Sequence, residues 1–192
     1  MCNFNCLNEL QFGFRDKHST THALIKITDS IKKAIDDNNF SCGVFIDLQK
    51  AFDTVNHKIL LYKLNHYGIR GNANQLFESY LQNRTQKVKI NSHLSSTEMV
   101  ECGVPQGSVL GPILFLIYIN DLKESTLYSI VHHFADDTSL LFKNKSLKKL
   151  NKQVNHELNL ICDWLRSNKI SLNLNKTDII LFKARNKRLH EH

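Results

Sequence analysis

Two fragments carry carboxylates in a pattern that can do chemistry. One is Phe45-Ile46-Asp47-Leu48 with Ala51-Phe52-Asp53 close behind; the other is Phe134-Ala135-Asp136-Asp137. In each, aspartate closes a short apolar run rich in β-forming residues. An ionised carboxylate at the edge of a buried strand is unfavourable unless something neutralises it. Two such charges about 4 Å apart repel by roughly 4 kcal/mol at an effective dielectric near 20. Three converging carboxylates therefore call for a cation, and oxygen-only ligands favour a hard one, Mg²⁺ or Mn²⁺. Two such ions roughly 3.5–4 Å apart are the equipment of in-line phosphoryl or nucleotidyl transfer.

These residues need elements to hold them. Leu24, Ile27, Ile31 and Ile35 recur at helical spacing, which predicts a helix over 20–38 with Ser19, Thr20 or Thr21 as its cap. Cys42 to Leu48 is expected to be a short buried strand. A helix follows, with Asp53 or Thr54 expected at its N-cap, Ile59, Leu60, Leu64 and Tyr67 inward and Gly68 just past its end. A third helix is expected over about 74–82. Gln86 to Ile90 and Thr97 to Cys102 are expected to form a hairpin around Asn91-Ser92-His93. Val104-Pro105-Gln106-Gly107-Ser108 opens an apolar helix running to about Leu122. Two strands, 128–134 and 138–142, fold back at Ala135-Asp136-Asp137 and put the aspartate pair on the turn. Leu147, Leu150, Val154, Leu158, Ile161 and Leu165 mark the clearest helix, over 147–168. Ile170 to Leu174 and Ile179 to Phe182 are expected to pair around Asn175-Lys176-Thr177. Alternating helices and short strands make the fold class α/β or α+β.

Composition sets limits. The 192 residues, 42% of them hydrophobic, suit one domain or parts of two packed subdomains, with a real core. The apolar run Val109 to Ile119 holds Gly111 and Pro112 and falls well short of the ~20 residues of a membrane span. The N-terminus lacks the basic and apolar blocks of a secretory signal. Five scattered cysteines, with no Cys/His pair beside Cys2 and Cys6, read as reduced thiols in an intracellular protein, nuclear or cytoplasmic. The net charge of +7 is uneven, since residues 143–192 hold 12 Lys/Arg against 4 Asp/Glu. A basic quarter beside an acidic cluster suits a protein that grips phosphates.

Five blocks in order complete the picture: Gln11-Phe12-Gly13-Phe14-Arg15, Phe45 to Asp53, Gly103 to Ser108, Phe134 to Asp137, and Leu172-Asn173-Leu174-Asn175-Lys176-Thr177. Their order and spacing, from about residue 8 to 183, resemble the reverse transcriptases, in detail the non-LTR (LINE, jockey-like) retrotransposon branch. Group II intron and retron enzymes share these blocks, and a catalytically silent remnant would keep them too.

The resemblance implies a right-hand polymerase palm with partial fingers, a small antiparallel sheet packed on helices. It implies partial fingers at 1–41, palm at 42–183 with a fingers insertion at about 68–102, and a basic tail at 184–192. As departures from the family pattern, the thumb and the endonuclease domain that many members carry are expected to be missing, and the chain reads as a fragment. It further implies RNA-directed DNA polymerase activity, with an RNA template, a DNA primer and dNTPs as partners. Asp47 and Asp136, with Asp137 beside them and the Leu48 carbonyl as a further ligand, would hold two Mg²⁺ ions, Mn²⁺ being possible. Lys176 resembles the lysine that protonates the leaving pyrophosphate. Arg15 resembles the cation that pairs with triphosphate oxygens, and Phe52 the gate against a ribose 2′-hydroxyl. Gln106 and Gly107 resemble the pair that lies against the incoming nucleotide. Asp53 is expected to cap a helix.

Overall fold

A computed structural model describes residues 7–187, so Cys2, Cys6 and the end of the basic tail lie outside the described residues. In chain order the elements are α1 (Thr20–Asp36), β1 (Phe40–Ile46), α2 (His57–His66), α3 (Asn72–Leu81), β2 (Thr85–Gln86), β3 (Lys89–Ile90), β4 (His93–Leu94), β5 (Glu98–Met99), α4 (Leu110–Ile119), β6 (Ile130–Phe134), β7 (Asp137–Asn144), α5 (Leu147–Ser167) and β8 (Asp178–Phe182). Single 3-10 stretches cover Asn120–Ser125 and Leu174–Lys176. The chain divides into two compact units, one made of Met1–Gln49 and Asn120–His192, the other of Lys50–Ile119.

The first unit is built on a four-stranded antiparallel sheet in the order β6-β7-β1-β8. The middle of β1, with Cys42 and Val44, is buried residue after residue, as a strand covered on both faces must be. Helices α1 and α5 pack on this sheet. Ser19 caps α1, its Oγ accepting from His22 N–H at 3.3 Å, and Ser146 caps α5 in the same way through Lys149 N–H at 3.4 Å. On α5 the expected stripe buries Leu150, Val154, Ile161 and Leu165. It also buries Glu157, whose Oε2 accepts from the N–H groups of Leu127, Tyr128 and Ser129 at 2.8, 2.5 and 3.2 Å. That carboxylate anchors the chain as it enters β6. Backbone donors at the entry to a strand need acceptors, and one side-chain oxygen serves three of them.

In the second unit α2 packs on α3 and α4. Helix α4 is apolar on every side and its residues from Leu114 to Ile119 are all buried, as an all-round apolar helix requires. Lys63 is also buried; its Nζ donates at 2.6 Å to the Tyr118 carbonyl near the end of α4. Gly68, at φ +93°, closes α2 as its sequence position suggests.

Four local expectations are corrected. The cap of α2 is Asn56, whose Oδ1 accepts from Ile59 N–H at 3.2 Å, so neither Asp53 nor Thr54 caps it. The apolar helix stops at Ile119 and passes into a 3-10 stretch instead of continuing to Leu122. The 86–102 hairpin is broken into two short ladders, β2 with β5 and β3 with β4, and His93 sits in a strand. Residues 170–174 do not pair with β8. Instead Leu172 bridges Leu48, and β8 pairs with β1, so one segment runs antiparallel to β1 and bulges at Leu174–Lys176. The steps from Leu48↔Leu172 to Phe45↔Asp178 leave extra residues on the outer segment, and the 3-10 turn absorbs them.

Candidate active site

Strands β6 and β7 meet in a two-residue turn, Ala135-Asp136, closed by the Phe134↔Asp137 pair. Ala135 sits at φ +58°, a conformation that normally selects glycine. Next to β7, the register of β1 ends at Ile46↔Thr138, the residues adjoining Asp47 on one strand and Asp137 on the other. Strand pairing between distant segments thus gathers three carboxylates at one end of one sheet. Asp137 registers the crowding. Partial burial raises its carboxyl above the usual range, the carboxylates of Asp136 and Asp47 raise it further, and the Lys176 ammonium lowers it.

Asp47 is held from its other side. The Asn173 N–H donates to its carbonyl at 2.9 Å, and Asn173 Nδ2 donates to Oδ2 at 2.8 Å. Because Asp47 offers its carbonyl to Asn173, the alternation of a strand turns the Leu48 carbonyl toward the opposite edge. Lys176 rides on the 3-10 bulge. With Asp47 and Asp137 it lines a cleft of about 530 Å³, whose apolar side is Leu24, Ile27 and Phe134. This accounts for Leu24, which lies on the predicted inner stripe of α1 yet is 63% exposed.

Arg15 does not line that cleft; its Nη1 donates to the carbonyls of Asn8 and Gln11 at 2.9 and 3.2 Å. In the second unit, the half-buried Phe52 stacks on Phe115 with ring centroids 4.5 Å apart. Gln106 Nε2 donates to Asp53 Oδ1 at 2.7 Å, and both line a cleft of about 560 Å³ with Lys50 and Arg84. Gly103, at φ +87°, lies against the Asp53 backbone, where a Cβ would come within 2.9 Å of the Asp53 carbonyl. Gly107, at φ +79°, faces open space.

Among the described residues, no group of three or more His, Cys, Asp or Glu side chains is arranged to hold a metal ion. The donor chemistry nonetheless fits one. All the candidate ligands are oxygens, and burial, together with the carboxylates of Asp136 and Asp47, raises the Asp137 carboxyl.

Sequence reasoning gave no role to Gln11, Asn173 or Glu157. Gln11 and Asn173 lie inside two of the quoted blocks, and that membership was their one signal.

An antiparallel sheet on two helices, with carboxylates at a hairpin turn and at the end of the neighbouring strand, is the palm architecture of template-directed polymerases. The chain belongs to the reverse transcriptase family: the family described as "Reverse transcriptase (RNA-dependent DNA polymerase)" matches residues 1–190. It is 32% identical over 187 residues to the RNA-directed DNA polymerase from mobile element jockey of Drosophila melanogaster, covering 92% of this chain and 20% of that one. It is also 32% identical over 184 residues to the probable RNA-directed DNA polymerase from transposon BS of the same fly, covering 89% of this chain and 20% of that one. The chain therefore spans about a fifth of the length of these relatives. Among solved structures it resembles a telomerase from Candida albicans, with a TM-score of 0.63 at 16% identity, covering 85% of this chain and 31% of that one. That likeness bears out the fold. Members of this family generally use divalent metal ions, and no helix among the described residues is long and apolar enough to cross a membrane.

Proposed function

We propose that this chain is the catalytic core of an RNA-directed DNA polymerase, extending a DNA primer with dNTPs along an RNA template. The observation that carries the reading is the gathering of Asp47, Asp136 and Asp137 beside Lys176 at one end of the sheet. Asp47, Asp136, Asp137 and the Leu48 carbonyl would hold two Mg²⁺ ions, with Mn²⁺ as a substitute. When bound, such ions lower the pKa of a primer 3′-hydroxyl and neutralise the triphosphate for in-line attack.

The chain's own residues do the rest. Lys176 donates a proton to the leaving pyrophosphate. Arg15 pairs with triphosphate oxygens; its two backbone bonds use only Nη1, and a guanidinium has five N–H donors. Phe52, braced by Phe115, excludes a ribose 2′-hydroxyl. Gln106 lies against the incoming nucleotide, and Gly107 lets the backbone approach it without a Cβ in the way. On this reading residues 1–41 are partial fingers, 42–183 the palm with a fingers insertion at about 68–102, and 184–192 a basic tail.

The test is primer extension on an RNA template with Mg²⁺ and dNTPs, beside Asp136→Asn. Loss of several kcal/mol of transition-state stabilisation predicts a fall on the order of 1,000-fold in the variant. Equal extension by parent and variant would refute the assignment.

A further inference from the structure

The turn that carries Asp136 cannot be explained by its own residues. A two-residue hairpin turn with a positive φ at its first position favours glycine there, and this chain has Ala135 at φ +58°. Such a conformation persists only where the surroundings over-determine it. The Ala135 amide is also buried, so it needs an acceptor.

Both requirements are met by a segment far away in sequence. Residues Leu10 to Phe12 run parallel to β6 along its free edge, with His133 N–H donating to the Leu10 carbonyl at 2.9 Å and Phe12 N–H donating to the His133 carbonyl at 2.8 Å. These backbone bonds, with Asn8 N–H donating to Asn120 Oδ1 at 2.8 Å, dock the segment independently of the Gln11 side chain. Gln11 is 2% exposed, and its Oε1 accepts from two donors, the N–H of Gly13 at 2.9 Å and the N–H of Ala135 at 3.2 Å. Gly13 then passes so close to the turn that a Cβ on it would stand 2.2 Å from Ala135 N. One amide oxygen thus ties the strap and the turn together, at the residue immediately before Asp136.

We propose that Gln11 is a positioning residue: its side-chain oxygen holds the Ala135-Asp136 turn in the conformation that presents Asp136 to a divalent cation. Gln11 does not itself touch the ion or the nucleotide. The inference rests on the metal-binding role assigned to Asp136 above, and the control below separates the two. It predicts a loss that follows the acceptor oxygen rather than the size of the side chain. Gln11→Leu keeps the bulk and removes the acceptor, whereas Gln11→Glu keeps an acceptor oxygen in place.

The experiment measures Mn²⁺ binding to the full chain by electron paramagnetic resonance, for the parent, Gln11→Leu, Gln11→Glu and Asp136→Asn, with thermal melting followed for each. Loss of an outer-shell partner weakens metal binding by about 10–100-fold. Gln11→Leu is expected to fall in that range with a melting temperature lowered by only several degrees, as the orphaned Ala135 and Gly13 amides require, and Gln11→Glu to recover most of both. If Asp136→Asn weakens binding but Gln11→Leu does not, the positioning role is overturned while the metal site stands. If Asp136→Asn binds as the parent does, the metal assignment itself fails. Equal losses in both Gln11 variants, matched by lower melting temperatures, would make Gln11 a structural residue only. The parent supplies a check that needs no variant: amide exchange by NMR should find Ala135 N–H as protected as its β6 and β7 neighbours, and fast exchange there would overturn the proposal.

Discussion

Two antiparallel hairpins among the described residues differ sharply in character. In the first unit, β6 and β7 pair without interruption from Ile130↔Leu141 to Phe134↔Asp137. Strand β1 lies along the other edge of β7, and the Leu10–Phe12 strap lies along β6. In the second unit, β3 and β4 pair at Lys89↔Leu94 and Ile90↔His93, then the register slips before β2 and β5 pair at Thr85↔Met99 and Gln86↔Glu98. Lys87 and Val88 there face Ser95 to Thr97, one residue too many, which is a bulge. Every residue from 85 to 99 is exposed. An isolated two-stranded hairpin is marginal in water, whereas further strands and a buried face make one rigid. The hairpin enclosed on both edges holds Asp136 and Asp137 in place, and the open one is free to change shape.

The largest test of this contrast is Leu140→Ala. Leu140 is fully buried in β7, and truncating such a side chain costs about 2–5 kcal/mol. Urea unfolding of the variant should show that loss at an unchanged slope. A loss below about 1 kcal/mol would mean that the site can collapse around the cavity, and the hairpin would then be softer than its burial implies.

Acid should loosen the same region. Burial, with a smaller contribution from His132, pushes His133 down to about 4, and burial lowers His132 as well. Between the ordinary histidine value of about 6.5 and about 4, the unfolded chain binds the proton that the folded chain refuses. The stabilisation from a neutral His133 is therefore complete above pH 6.5 and is lost as pH falls through that window, by roughly 3 kcal/mol in all. Asp137 works in the opposite sense, because its raised carboxyl makes the ionised form unfavourable as pH rises. Unfolding midpoints between pH 7 and pH 4.5 should fall steeply in the parent and less so in His133→Asn, which leaves Thr138 Oγ1 without the ring nitrogen now 3.0 Å away. Equal slopes would remove His133 as the cause.

How much of this is legible in the sequence depends on the range of the interactions. Helix α5 is legible, because six apolar residues at helical spacing overdetermine it. Glu157 is not: on that same stripe, nothing local distinguishes a solvated glutamate from one buried against the backbone of Leu127 to Ser129. Asp53, Thr54 and Asn56 are all good caps, so propensity alone could not choose among them. Asp53 finds its partner in Gln106, far along the chain. The alternation Ile170, Leu172, Leu174 suggested a strand, but only Leu172 pairs, because the chain turns to 3-10 and carries Lys176 on the bulge. The carboxylates were legible as types and order. Their support by Gln11 and Asn173 depends on strand register, which no window of residues contains.

The smallest expected effect is the most exacting for the comparison. Ile90 is 68% exposed in β3, in a hairpin whose apolar residues Val88, Leu94 and Met99 are exposed too. Surface substitutions away from special features usually stay within about 0.5 kcal/mol, so Ile90→Ala should leave the urea midpoint close to the parent's while Leu140→Ala moves it far. Amide exchange should agree, with residues 85–99 exchanging through local opening and β7 only through openings near the global free energy. A large loss in Ile90→Ala, or strong protection across Lys89–Leu94, would show that this hairpin is covered in solution, and its broken register would then belong to a packed surface rather than to a mobile one.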